Sequence, residues 1–230
     1  MQLEQLIDGK LVPGEGEALA ILDPATAGVT ARVPEATVEQ VNRAVDAATR
    51  AFDAWSQTTP QQRSLALLAL ANRLETLGET FARLESRDCG KPLARVIADE
   101  IPATVDVLRF FAGAVRSLSG PLAGEYVSGF TSMIQRQPVG VVAAIASWNY
   151  PLMTAVWKLG AALAAGCTVI LKPSELTPLT TLALAPLLAE IFPPGVANIL
   201  CGRGASTGEA LIGHRDVHMV ALTAPCRACA

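Results

Sequence analysis

Three short segments carry side chains able to do chemistry, and each follows a short apolar run. They are Ala146-Ser147-Trp148-Asn149, Lys172-Pro173-Ser174-Glu175 and Cys201-Gly202-Arg203-Gly204, the last extended by Gly208. An acid placed like Glu175, after the second strand of a dinucleotide-binding sheet, bonds the adenosine ribose hydroxyls and repels a 2′-phosphate. Lys172 can reach the same ribose. Gly202 and Gly204 lead toward a helix whose free N–H groups favour an anion. Taken singly these signals are weak. Gly202-x-Gly204-x-x-x-Gly208 is not the six-residue G-x-G-x-x-G fingerprint and also fits an ordinary strand-to-helix turn, and a lone Lys-Pro-Ser-Glu fits a surface turn. Their recurrence at consecutive strand ends points to a nucleotide site.

The elements that must position them read as a repeated strand–helix unit. Residues 139–145, 168–171, 197–200 and 217–222 are apolar runs of strand length, and Pro151 opens a helix to about 164. Thr177-Pro178 opens a second helix to about 191, and a third spans 204–212. Uninterrupted apolar strands alternating with helices predict a doubly wound parallel sheet with ligands beyond its carboxyl ends. Ahead of it, Asp8-Gly9 between 5–7 and 10–12 reads as a hairpin. Thr37 with Gln40, and Thr59-Pro60 with Gln62, read as capped helix starts. The first helix carries Val41, Val45, Ala48, Phe52 and Trp55. The second carries a buried stripe at Leu65, Leu68, Leu74 and Leu77, ending near Gly78. Further helices are expected over 79–87 and 102–118, and β-like runs over 120–138 around Ser128-Gly129.

Composition narrows the classes. The chain has 230 residues, 51% of them hydrophobic and 17% charged, which excludes disorder. Eighteen basic and 21 acidic residues give a net charge of −3 without a polybasic run, against nucleic acid as a partner. The start shows no signal-peptide pattern, and the charge-free stretch 159–171 is too short to span a bilayer, so the expectation is a cytoplasmic protein away from membranes. Five cysteines, an odd number, fit a reducing compartment; Cys89, Cys167 and Cys201 read as small core or turn side chains.

In order and spacing, Ser147-Trp148-Asn149-Tyr150-Pro151, Lys172-Pro173-Ser174-Glu175 and the glycines at 202, 204 and 208 resemble the aldehyde dehydrogenase superfamily, over residues 1 to about 223. The stretches Glu85-Ser86-Arg87-Asp88-Cys89-Gly90-Lys91-Pro92, Phe110-Phe111-Ala112-Gly113 and Ala123-Gly124-Glu125-Tyr126 are most similar to γ-aminobutyraldehyde dehydrogenases. The resemblance implies NAD as cofactor, an aldehyde as substrate and a homo-oligomer. It implies a cysteine thiolate that attacks the aldehyde, hydride transfer to nicotinamide, and thioester hydrolysis by a glutamate-activated water. Asn149 would supply the oxyanion donor, although it can equally cap the helix at Pro151. Ala146, Ser147 (where many members have Pro), Trp148, Lys172, Pro173, Ser174, Glu175, Gly202, Gly204, Gly208 and Thr223 would hold the cofactor.

Tyr150 and Trp157, seven residues apart, would share a helical face and line the substrate tunnel, or simply pack in the core. Asp99, Glu100 and Asp106 are possible counter-charges, or a solvated helix face. The implied organisation is 1–119 as N-terminal strands and helices, 120–138 as an oligomerisation hairpin, 139–223 as the Rossmann-like core, and 224–230 as a tail foreign to the family.

The tail is where the pattern departs. Family members continue after the fourth strand with Thr-Gly-Ser, then Glu-Leu-Gly-Gly and Gly-Gln-x-Cys motifs that supply the general base and nucleophile. Here Thr223 is followed by Ala224-Pro225-Cys226, and neither later motif occurs. Loss of one nucleotide from GGC-TCC leaves GCT-CC, which reads Ala-Pro, so a shifted frame and a truncated, non-turning-over form are expected. Two other readings stay open: a non-catalytic NAD-binding module that pairs with other subunits, and a thiol or metal protein built on Cys226-x-x-Cys229.

Overall fold

A computed structural model describes residues 3–117 and 124–223. The chain opens on a hairpin of β1 (Gln5–Ile7) and β2 (Lys10–Val12). Its two turn residues, Asp8 and Gly9, have φ of 53° and 72°, the left-handed pair that a tight two-residue turn needs. A separate ribbon of β3 (Ala18–Leu22) and β4 (Val29–Pro34) follows. Helix α1 (Val38–Ser56) starts at the Thr37/Gln40 capping box, and α2 (Pro60–Thr76) at the Thr59/Gln62 one. Next come α3 (Gly78–Cys89) and α4 (Leu93–Arg95), the latter continuing through a π turn, Val96–Glu100, into α5 (Ile101–Ala114). An exposed hairpin, β5 (Gly124–Val127) and β6 (Phe130–Ser132), leads to the strand–helix repeat. That repeat is β7 (Val141–Ile145), α6 (Pro151–Ala165), β8 (Thr168–Lys172), α7 (Leu179–Ala183), α8 (Ala185–Ile191), β9 (Ala197–Ile199), α9 (Glu209–Ile212) and β10 (Met219–Leu222).

The expected doubly wound α/β sheet is present. Its order is β10-β7-β8-β9-β1-β2, with the first four strands parallel and the N-terminal hairpin added antiparallel beside β9. The pleat sends alternate residues to opposite faces. Val142, Ala144, Val169, Leu171 and Ile199 enter a core shared with α2, α3 and α5 to α8. Val141, Ala143 and Ile170 enter a second core with Val41, Ala44, Val45 and Ala48 of α1 and Leu211 of α9. The crossovers β7 to β8 to β9 therefore run on one face, and the crossover from β9 back to β10 runs on the other. The strand order reverses between β7 and β10, and at that point a crevice opens beyond the carboxyl ends.

Several boundaries differ from the sequence reading. The predicted second helix breaks into α7 and α8 because Pro186 has no N–H to continue the ladder. Residues 204–208 form a π turn, so α9 is only four residues long. The buried stripe of α2 is Leu67, Leu70, Ala71 and Leu74; Leu65 is exposed, and Leu68 and Leu77 are only partly covered. The face set by i, i+3, i+4 and i+7 lies one step round from the one predicted. Of the 120–138 segment, residues 120–123 lie outside the described residues, as does the 224–230 tail with its Cys226-x-x-Cys229 pair.

One long-range strap fixes the turn after β9. The Glu35 carboxylate accepts hydrogen bonds from the Arg203 N–H (2.8 Å), the Arg203 guanidinium (2.9 Å) and the Ser206 hydroxyl (3.0 Å). Beside it the Ala36 N–H donates to the Cys201 carbonyl at 2.7 Å, and the Thr207 hydroxyl donates to the Ala36 carbonyl at 3.0 Å. Burial pushes the Glu35 carboxyl up, but these donors outweigh it and hold it below its ordinary 4.5. A depressed acid stabilises the fold above its unfolded value and loses that contribution as pH falls through the folded value. Glu35→Gln is therefore expected to cost roughly 1–2 kcal/mol at neutral pH. Denaturant titrations should show the gap to wild type closing as pH falls below 4.5; an equal gap at pH 7 and pH 3 would show that the strap is not ionic.

Candidate functional site

At the reversal point the ends of β7, β8 and β10, with the start of α9, enclose a cleft of about 810 Å³. Ten of the predicted residues line it: Ala146, Ser147, Trp148, Asn149, Lys172, Ser174, Glu175, Gly204, Gly208 and Thr223. The strand-end reasoning thus brings residues far apart in sequence to one place. Ile145, Ala205, Glu209, Ile212, Val220 and Leu222 also line it and were not anticipated. Their signal was available: Val220 and Leu222 sit two apart on a strand, and Ala205, Glu209 and Ile212 follow helical spacing.

Lys172, the last residue of β8, is only 2% exposed. Its ammonium donates to the Pro173 carbonyl at 3.1 Å and lies 3.5 Å from the Glu175 carboxylate. Burial lowers its pKa; Glu175 and, from farther off, Cys201 and Glu35 act to raise it. Glu175 stands at the rim, with over a third of its side chain exposed. The two form an acceptor–donor pair on one wall. The indole of Trp148 is about half exposed, while its carbonyl is fixed by the Thr177 hydroxyl at 2.8 Å. The Thr154 hydroxyl donates to the Tyr150 carbonyl at 2.8 Å and accepts from the Ser147 N–H at 3.3 Å, which stitches the loop after β7 to α6. Thr223 extends the ladder by donating its N–H to the Ile145 carbonyl at 3.1 Å. Its hydroxyl accepts from Lys158, a partly buried lysine whose pKa burial lowers and which sequence reasoning missed.

Other expectations need correcting. Pro173 and Gly202 do not line the cleft. Pro173 contributes only its carbonyl to Lys172, and Gly202 is packed so tightly that a Cβ there would lie 1.9 Å from the Thr207 hydroxyl. Just before the glycine-rich turn, the Arg203 N–H is taken by an internal carboxylate, that of Glu35. Asn149 lines the cleft but does not cap α6, whose N-cap residue is Tyr150 and has no side-chain cap bond. Because Tyr150 stands outside the helical backbone, the two-turn argument that paired it with Trp157 lapses. Both are exposed, so neither packs in the core, and neither is among the residues that line this cleft. One face of the Tyr150 ring takes the Lys91 ammonium, 4.0 Å from its centroid. Asp99 pairs with Arg95 at 3.3 Å and Glu100 with Lys91 at 2.5 Å. No cluster of three metal-ligating side chains occurs among the described residues, and none of their helices is long and apolar enough to cross a membrane. Cys201 is buried with its thiol pushed up to about 12 by desolvation, the Lys172 ammonium pulling the other way; Cys167 is buried too.

Comparison with known proteins agrees with this geometry. The profile of the Aldehyde dehydrogenase family matches residues 11–228. A phenylacetaldehyde dehydrogenase from Pseudomonas fluorescens is 43% identical over 231 residues, covering 96% of this chain and 46% of the relative. An NADP/NAD-dependent aldehyde dehydrogenase from Escherichia coli is 40% identical over 216 residues, covering 93% and 43%. Among solved structures, a betaine aldehyde dehydrogenase variant from Staphylococcus aureus in complex with NAD+ superposes with a TM-score of 0.91 at 38% identity, over 95% of this chain and 45% of that one. The chain spans less than half the length of the curated relatives it matches. With the family profile covering nearly all of it, on a sheet and cleft of the kind described, this chain belongs to the aldehyde dehydrogenase family.

Proposed function

We propose that these residues form the cofactor-binding part of an NAD-dependent aldehyde dehydrogenase. The observation that carries this reading is the Lys172–Glu175 pair at the cleft, one buried donor and one rim acceptor at the end of the second parallel strand. The pair would hold the adenosine ribose hydroxyls, and the apolar wall of Ile212, Val220 and Leu222 offers a surface for a flat ring. NAD, when bound, supplies the hydride acceptor for oxidation of an aldehyde to an acid. Asn149 would present its amide to the oxygen of the substrate. No cysteine lines the cleft among the described residues, so this half alone is expected to bind cofactor without turning over. For the whole enzyme we propose an amino-aldehyde such as 4-aminobutanal, on the strength of the stretches 85–92, 110–113 and 123–126. The names of the relatives do not single out one aldehyde, so this assignment rests on the resemblance of those stretches to γ-aminobutyraldehyde dehydrogenases.

Glu175 would repel a 2′-phosphate, and Lys172 at 3.5 Å partly neutralises it, so a preference for NAD is expected rather than exclusion of NADP. A relative named NADP/NAD-dependent fits such a graded preference. In titration calorimetry wild type should bind NAD more tightly than NADP, and Glu175→Gln should reduce the ratio several-fold. An unchanged ratio would remove Glu175 from the ribose. We further propose that the chain self-associates, through Tyr126, Val127, Phe130, Met133 and Ile134, all exposed on and beside the β5–β6 hairpin, and along the backbone of β10, the edge strand of the described sheet. Sedimentation at micromolar concentration should show dimers or larger species; a stable monomer would overturn this.

A further inference from the structure

The Glu85–Lys91 stretch lines no part of the cleft, yet it gathers charge in the protein interior. Glu85 and Asp88, in the last turns of α3, are 1% and 2% exposed. The Thr180 hydroxyl donates to Glu85 at 2.6 Å and the Leu179 N–H to Asp88 at 2.9 Å, so both carboxyls face the start of α7. Lys91 closes the cluster. Its ammonium lies 2.5 Å from Glu100, at the end of the π turn, and 3.5 Å from Glu85. With two acceptors on one side, it sits 4.0 Å from the centroid of the Tyr150 ring. Two more groups reach the same loop: the Trp148 carbonyl accepts from Thr177 at 2.8 Å and from the Cys89 thiol at 3.7 Å. The loop that carries Trp148 and Asn149 into the cleft is thus held from behind, on both flanks of Asn149.

We propose that Lys91 is a positioning residue: held by Glu100 and Glu85, its ammonium fixes the Tyr150 ring and so sets where Trp148 and Asn149 stand in the cleft. Thr154 and Thr177 hold the backbone carbonyls of Tyr150 and Trp148, and the ring contact is what holds the Tyr150 side chain. Tyr150 is the N-cap of α6 but makes no side-chain cap bond, and its backbone is non-helical, at φ −138° and ψ 63°. A cation over an aromatic face is directional and gains strength when partly desolvated, and Lys91 keeps only 17% of its side-chain exposure. The cation also balances two carboxylates that would otherwise stand buried without a counter-charge. Replacing Lys91 by methionine, a neutral unbranched chain one atom shorter, keeps most of the packing and removes the hold.

The proposal rests on the cofactor reading only for what the cleft binds, and its test begins without ligand. The 230-residue chain has three tryptophans, so 5-fluorotryptophan labelling gives three fluorine resonances, with that of Trp148 identified by its loss in Trp148→Phe. Lys91→Met should shift or split the Trp148 resonance while leaving that of buried Trp55 in place, and Lys91→Arg should restore it. Tyr150→Leu, at an exposed ring, should reproduce the change, and the double variant should add nothing to it. NAD affinity should fall roughly three- to tenfold in Lys91→Met, as loss of one partly desolvated cation–π contact implies. A Trp148 resonance unmoved in both Lys91→Met and Tyr150→Leu overturns the proposal. Should Lys91→Met not fold, Tyr150→Leu decides it by the same resonance. If the resonance moves but wild type binds no NAD, the positioning role stands and the cofactor reading falls.

Discussion

The three inner parallel strands, β7, β8 and β9, are buried on both faces, and the rest of the molecule is arranged around that constraint. Residues of β7 and β8 alternate between two apolar cores, so a polar side chain in mid-strand would be stranded without partners. Asn198, in β9, shows what an exception requires. It is fully buried, and its side chain accepts from the Asp8 N–H at 3.0 Å and donates to the Gly195 carbonyl at 2.8 Å, which docks the N-terminal hairpin turn. Elsewhere polar chemistry is pushed to the strand ends. Because the strand order reverses between β7 and β10, those ends part there and leave the cleft.

Internal carboxylates reach two of the helix starts beyond the strand ends. In many nucleotide-binding sheets a free helix N-terminus takes the phosphate. Here Glu35 occupies the turn before α9, and Asp88 takes the Leu179 N–H at the start of α7. Burial pushes the Asp88 carboxyl up to about 7, with the Leu179 N–H drawing it down and Glu85 adding to the rise. The cost of burying these acids is met by fixing turns that are 168 and 91 residues away in sequence. A ligand in the cleft meets the side chains of Lys172, Glu175, Trp148 and Asn149. Gly202 is small to admit Thr207.

What was legible in the sequence was whatever local periodicity or capping chemistry decides. The Asp8-Gly9 turn, both capping boxes, the parallel strands and the strand-end segments that reach the cleft follow from spacing, whereas Thr223 came from the family resemblance. What was not legible depends on partners distant in sequence. Nothing near Glu35 announces Arg203 and Ser206, and nothing near Tyr150 announces Lys91. The stripe of α2 was partly misplaced: Leu74 is buried as expected, but several leucines are compatible with helical spacing, and packing selects Leu67 and Leu70 over Leu65 and Leu68. Asn149 as a helix cap failed for a related reason: Pro151 fixes the helix start, but it is Tyr150 that takes the cap position.

Lys172 gives the strongest physical reason to regard the cleft as functional. An ammonium has three protons to place, and among the described residues it finds one carbonyl at 3.1 Å and one carboxylate at the long distance of 3.5 Å. Withdrawing an ion from water costs several kcal/mol, and two such partners repay only part of it. A sequence shaped for stability alone would place leucine or methionine at the end of β8, where the neighbouring Leu171 and Ile170 are wholly buried and apolar. A lysine there carries an electrostatic cost, and it lines the same cleft as Glu175. A ligand bringing hydroxyl acceptors would complete the set, and residual frustration of this kind belongs to a binding surface rather than to a core.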